Sequence, residues 1–529
     1  MEIVADKVLV LKTRKPDRVE EAIPTSKVLN TDGQGIYTMA MNWGVTTAQK
    51  LAELKMKNIP SPMQGYSWPG LSPMAHQIKT ADHLVLNQKS AMVFNEQGTG
   101  KTASCIWAAD HLINQGLVSR VHVVAPLSTL QATWITDLHT FAPHRTAAVC
   151  HGTKTKRINI LERAPAYEWI IINPDGISTV KNEIAEGGFD LIIIDEANAY
   201  KNPSTRRFKT LARLKGTDTS CWILTGTPAT QSPVDAYGLA AICLSPERRE
   251  AQGLPANKTR FRDLTMYPVS RFKWVPKPDA TSVVHRILQP AIRFSKESCL
   301  DLPDTVYVDR IVEMTKEQTH YYRILRDQFL LDHKKSGNQV TAVNAATNLN
   351  KLLQISGGCC YSDSGEVIEF DISNRLQVVE DLIAESLSKV LVFCPFRHTI
   401  ELVQKHLNTR GIGAEVIMGG VSLRKRSEII ERFQKFPETK VLVCQPAAAG
   451  HGLNLTAASS VVWFSPVVSV EQYLQSNARI ARPAQKLKMT ITRLAGSAAE
   501  SKLYRMLSDK LKTHTQIVNL YNDILHVDI

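Results

Sequence analysis

The stretch Asn95 to Thr102, NEQGTGKT, follows the apolar run SAMVF and precedes ASCIWAADHLINQG, which reads as a helix. A glycine-bearing turn between strand and helix exposes consecutive main-chain N–H groups. The following helix adds its positive end, and the combination suits a triphosphate. In this reading Glu96, Gln97, Gly98, Thr99 and Gly100 form the cradle, Lys101 reaches the β- and γ-phosphates, and the Thr102 hydroxyl binds Mg²⁺. The usual spacing is G-x-x-x-x-G-K-[ST], and Asn95 stands at its first position in place of glycine. A second run, LIIIDEAN at 191–198, places two carboxylates at the end of an apolar strand. Asp195 suits the Mg²⁺ shell, and Glu196 suits orienting and deprotonating an attacking water. Together the two motifs predict ATP hydrolysis with Mg²⁺.

Those residues need strand tips to hold them. From about 70 to 235 the near-continuous apolar runs AMVF, VHVVAP, WIIINP, LIIIDEA and CWILTGT alternate with segments of helical period, as expected of strands covered on both faces. The pattern returns from about 372 with KVLVFCPF, AEVIM, KVLVCQP, SVVWFSP and MTITRLAG. Two parallel α/β domains follow. The expected organisation is an N-terminal accessory domain and linker (1–70), a first ATP-binding domain (71–235), a basic helical insertion (236–371) and a second α/β domain (372–529).

At 529 residues with 43% apolar composition, the chain is long enough for several cores. No apolar run approaches the roughly 20 residues of a membrane span, and the N-terminus lacks the pattern of a signal peptide, so a cytoplasmic protein without membrane partners is expected. Nine cysteines without a C-x-x-C pair suggest neither a disulfide framework nor a zinc ribbon. The formal charge of +13 and a pI near 9.2 favour polyanion partners. Residues 251–300 concentrate that character, with nine Lys/Arg, three Asp/Glu and five aromatics.

The ordered series LSPMAHQ, NEQGTGKT, VVAPLSTL, DEAN, LTGTP, GHGLNL and QSNARIARPAQ resembles the superfamily-two helicases, most closely their Swi/Snf-type translocase branch. The resemblance covers about 70 to 510 and implies two RecA-like domains around a composite ATP site. It implies that Gln77 reads adenine, that Gly452 lies near ATP, and that Arg479 and Arg482 act as arginine fingers. Their spacing of three would set them on one helix face. Asn198 stands where the family has histidine. Ser128 and Thr129 of PLST match an element that grips backbone phosphates, and Arg293 and Lys296 of the insertion would extend the grip. The implied function is an ATP-dependent translocase or helicase on duplex or branched DNA, expected as a monomer. An RNA or single-strand helicase and a nucleotide-gated DNA-binding scaffold are the alternatives. Trp274, Trp463, Phe464 and Tyr473 are the stacking candidates for the single-strand reading.

Overall fold

A computed structural model of the chain describes residues 1–5, 7–226, 228, 232–270, 273–299, 303–335, 350–362, 366–449, 455–481 and 485–508. The chain divides into two compact units, the first built on Met1–Cys299 and the second within Leu300–Asn519. The first opens with an antiparallel sheet of β1 (Glu2–Val4), β2 (Val8–Thr13), β3 (Lys27–Thr31) and β4 (Tyr37–Asn42), in the order β1-β2-β4-β3. Burial alternates along β2 and β4, so that Leu9, Leu11, Met39 and Met41 share a small core with Val19 and Leu51.

Next come the apolar runs: β5 (Ser90–Val93), β6 (Val121–Val124), β7 (Ala147–Cys150), β8 (Trp169–Ile172), β9 (Leu191–Ile194) and β10 (Ser220–Leu224). The hairpin of β11 (Met266–Ser270) and β12 (Lys273–Pro276) follows, and then the two-residue β13 (Ala291–Ile292). β13 joins the edge of a seven-stranded sheet ordered β13-β5-β10-β9-β6-β8-β7, in which neighbouring strands run parallel. β5, β6, β8, β9 and β10 are buried along their whole length, as a sheet covered on both faces requires. Register sets the strand tips level: Val93 pairs with Leu224, and Ile223 with Ile194. The loops after β5 and β9 therefore leave the same edge, separated only by β10.

The second unit begins its sheet with β14 (Thr305–Ile311). A hairpin of β15 (Cys359–Tyr361) and β16 (Val367–Glu369) precedes β17 (Lys389–Phe393), β18 (Ala414–Ile417), β19 (Val441–Cys444), β20 (Ala458–Trp463) and β21 (Met489–Ala495). The order is β14-β21-β20-β17-β19-β18, with parallel neighbours. The two parallel sheets confirm the α/β class expected from the runs. The stretch 236–371 holds helices and also gives β13 to one sheet and β14 to the other.

One buried ion pair organises the second unit. Arg375, on helix Ser373–Glu385, donates to both Glu500 oxygens at 3.0 and 2.8 Å and to Ser356 O at 2.7 Å. Glu500 also accepts from the main-chain N–H of Gly496 and Ser497. Removing one partner leaves a buried charge uncompensated. Glu500→Ala is expected to cost about 3–5 kcal/mol in denaturant unfolding, whereas the paired replacement R375M/E500L costs much less. In the first unit, His122 on β6 is 1% exposed, its ring nitrogens have no hydrogen-bond partner among the described residues, and burial pushes its pKa down to about 4. The folded state thus binds fewer protons than the unfolded one. The stabilisation is complete above about 6.5 and is lost as pH falls toward 4, by about 3 kcal/mol in all. Thermal unfolding of His122→Leu is expected to show a flatter pH dependence over that window.

Candidate functional site

The phosphate-loop candidate leaves β5 and enters helix Lys101–Asn114. Gly98 and Gly100 have φ of 87° and 81°, in the left-handed region that favours glycine. A Cβ at Gly100 would also displace the Gln77 amide, which packs against it. Helix Ala75–Leu86 thus braces the loop. Gln77 Nε2 donates to Thr99 O at 3.4 Å, and the His76 ring bonds the same carbonyl at 2.8 Å. Gln77 Oε1 accepts from Met74 N, so both ends of the amide assigned to adenine are engaged by the protein itself.

Lys101 Nζ donates to Asn95 O at 2.8 Å and Glu96 O at 3.1 Å. Burial pushes its pKa down, and Glu196, Asp195 and Glu96 pull the other way. The charge has three carboxylates around it, contributed by two loops. Asp195 is oriented by Trp134, whose Nε1 donates to Oδ2 at 2.9 Å, and by Glu196 N, which donates to Oδ1 at 3.0 Å. Glu196 adopts the left-handed conformation, φ 48° and ψ 54°. Such a backbone costs a non-glycine residue about 1–3 kcal/mol and turns its side chain back over the strand end. There Glu196 Oε1 accepts from Gln97 Nε2 at 3.3 Å, bridging the two loops. Thr102 is half-buried in the first helical turn, and Thr99 Oγ1 donates to Glu96 O. The structure therefore gathers Gln77, residues 96–102, Asp195 and Glu196 at one edge.

Two residues expected to grip nucleic acid lie elsewhere. Arg293 is 3% exposed; its guanidinium donates to Phe94 O and to Glu96 Oε1, each at 3.3 Å. Lys296 N donates to Glu96 Oε2 at 3.0 Å. The main chain of 290–294 continues the ladder, with Met92 N to Pro290 O, Phe94 N to Ile292 O and Glu96 N to Phe294 O. Arg293 is thus a brace of the phosphate loop and not a surface cation, because its head is turned inward to a loop carboxylate. Thr129 is also buried, its hydroxyl satisfied by Pro126 O at 2.9 Å, while Ser128 stays half-exposed. Just beyond them, Leu130–Ile135 is a π-helical turn that carries Trp134 under the carboxylates. The sequence does not single out Trp134, which an apolar period accounts for, and it marks Asn95 only as a departure from glycine, without its bonds to Thr80 and Phe294.

In the second unit, helix Val470–Asn477 ends before Arg479, which lies in the turn 478–480. Arg479 is 4% exposed, and its Nε donates to Gln475 O at 2.9 Å. Arg482 and Gly452 lie outside the described residues. Trp463, Phe464 and Tyr473 are fully buried; the rings of Trp463 and Tyr473 pack 4.9 Å apart. The Trp274 ring lies under the Arg262 guanidinium at 3.9 Å.

A parallel sheet whose strand–glycine loop–helix faces two carboxylates at the tip of the next strand but one defines the P-loop class of α/β proteins. The SNF2-related domain matches residues 39–363, and the helicase conserved C-terminal domain matches residues 374–484. The chain belongs to the SNF2-related family. An uncharacterized ATP-dependent helicase of Mycoplasma genitalium is 25% identical over 460 residues, covering 84% of this chain and 42% of that one. Protein p41 of Acyrthosiphon pisum secondary endosymbiont phage 1 is 27% identical over 435 residues, 78% of this chain and 89% of that one. The solved Sulfolobus solfataricus SWI2/SNF2 ATPase core in complex with dsDNA covers 85% of this chain at 24% identity, with a TM-score of 0.41. Against the Mycoplasma relative, and against the mouse chromodomain-helicase-DNA-binding protein 1-like, of which 51% is covered, the chain spans about half the relative's length.

Trp134→Phe keeps an aromatic ring buried but removes the N–H to Asp195 together with part of the indole volume. A hydrogen bond to a charged group contributes about 1.5–3 kcal/mol, and with the cavity added a loss of at least that size is expected in denaturant unfolding of the variant.

Proposed function

We propose that this chain is an ATP-dependent translocase or helicase that moves on duplex or branched DNA. The observation that carries the reading is the meeting of Lys101 with Asp195 and Glu196 at level strand tips of one sheet. Lys101 lies on two loop carbonyls, a position from which its flexible stem swings to phosphate oxygens. Asp195, held by Trp134, and the Thr102 hydroxyl are the oxygen donors that would hold Mg²⁺, whose role is to neutralise charge on the phosphates. Glu196 orients the attacking water and takes its proton. Gln97, in contact with Glu196, keeps that carboxylate over the phosphate loop.

Movement on a nucleic acid is supported by family membership, by the basic charge of the chain and by the half-exposed Ser128 at a strand end. Arg479 and Arg482 remain the proposed fingers to the γ-phosphate. The burial of Trp463, Phe464 and Tyr473 takes away three stacking platforms that a single-strand or RNA helicase would use. Duplex is therefore the favoured track.

Glu196→Gln is expected to bind ATP as tightly as the parent and to lower DNA-stimulated turnover by about 10²–10⁴-fold, the range of a lost general base. Lys101→Ala is expected to lose nucleotide affinity as well. Phosphate release measured with duplex, branched and single-stranded DNA and with RNA tests the track. Strong stimulation by RNA with none by duplex overturns it, and normal hydrolysis by Glu196→Gln overturns the catalytic assignment.

A further inference from the structure

The first unit carries a second cleft, lined by none of the residues of the phosphate loop. Helix Lys181–Glu186, in the connection from β8 to β9, packs beside helix Arg206–Leu214, which follows β9. Between them lies a solvent-open cleft of about 470 Å³. Lys181 and Asn182 line it from one helix; Ser204, Arg206, Lys209 and Arg213 line it from the other side. The second helix is fixed in rotation because Phe208 and Leu211 are buried beneath it and Thr205 caps its N-terminus. Arg206, Lys209 and Arg213, at i, i+3 and i+7, are consequently held on one exposed stripe.

The charge on this stripe is uncompensated. Arg207, one residue along, is neutralised by Asp175 at 2.8 Å. Lys181, Arg206, Lys209 and Arg213 have no such partner among the described residues, and no carboxylate lines the cleft. Four like charges around one cleft repel one another unless a polyanion enters. The stripe from Arg206 to Arg213 runs about 10 Å, the axial length of about three phosphates on one strand. Arginine forks match phosphate oxygens, and Asn182 and Ser204 add neutral donors. Apart from such neutral groups the cleft offers only donors, which suits a backbone made of acceptor oxygens better than a peptide that brings its own N–H groups.

We propose that this cleft is a second phosphodiester-backbone site, additional to the contact assigned to Ser128, and that it holds either a further stretch of the same duplex or a second DNA segment. The inference rests on the nucleic-acid reading of the chain. It is tested with the full chain and the triple variant R206A/K209A/R213A, whose residues are exposed and outside the ATP site. Affinity for a short fluorescent duplex and for a branched junction is measured by anisotropy across a salt series, with polyglutamate as a third probe.

The expected result is a log-affinity against log-salt slope that is shallower by about 2.7 in the variant, the effect of three lost phosphate contacts. ATP turnover without nucleic acid stays at the parent value. A change on both DNAs assigns the cleft to the same duplex; a change confined to the junction assigns it to a second segment. Either outcome supports the site. Equal slopes for parent and variant on both DNAs overturn it while leaving the translocase reading intact. A loss of polyglutamate affinity with unchanged DNA slopes overturns it in favour of an acidic protein partner. A parent protein with no affinity for DNA removes the translocase reading, and the cleft proposal with it.

Discussion

The side-chain amide of Asn95 closes the end of β5 against two other segments. Its Nδ2 donates to Thr80 Oγ1 at 2.9 Å, and its Oδ1 accepts from Phe294 N at 3.0 Å. Thr80 in turn donates to His76 O, and the His76 ring holds Thr99. A buried amide with partners at both ends fixes three chain segments at once, whereas a glycine at this position would leave the Thr80 hydroxyl and the Phe294 N–H without those bonds. Everything nearer to the phosphates depends on this closure. It sets the start of the loop, and the loop's start sets where the carbonyls of Asn95 and Glu96 receive Lys101.

Glu96 extends the same closure through charge. Its carboxylate takes the Arg293 guanidinium and the Lys296 N–H, and its own N–H is bonded to Phe294 O. Removing a charged pair from water offsets much of the Coulomb gain, so this pair contributes position more than stability. The bonds from 92–96 to 290–296 combine main-chain ladder with side-chain clamp. A displacement of the phosphate loop therefore works against several hydrogen bonds at once, each contributing about 1 kcal/mol net. The braced segment lies only a few residues before the first unit ends at Cys299.

The strands were legible because a parallel sheet buried on both faces demands uninterrupted apolar runs, and SAMV, VHVV, WIII, LIII and SCWIL are such runs. The loop after β5 and the acids after β9 were legible for a related reason: glycines and paired carboxylates at the ends of such runs have few structural uses. β13 was not legible. Two residues carry no period, and their place on the sheet follows from partners 199 residues away by sequence, as between Ile292 and Val93. The resemblance of PLST to a phosphate-gripping element and the basic character of the insertion point Thr129 and Arg293 toward nucleic acid, but neither motif nor charge reports where a side chain's head points. Both found buried acceptors instead. Arg479 sits in a segment of helical character by sequence, but helix Val470–Asn477 ends two residues before it, where the turn 478–480 begins.

The balance of charge at the loop bears on what it takes up. Lys101 is surrounded by Glu196, Asp195 and Glu96, with Arg293 the opposing cation behind Glu96. Two cations against three carboxylates leave this group of charges net negative, and a bare polyphosphate approaching it meets repulsion in a desolvated setting where charges are poorly screened. A divalent cation on the Asp195 side reverses that sign. In the proposed reading a divalent cation, which Asp195 and the Thr102 hydroxyl would hold, would offset the carboxylates that surround the lysine. Trp134 belongs to the same balance. By donating to one oxygen of Asp195, while Glu196 N donates to the other, it fixes the orientation of the carboxylate.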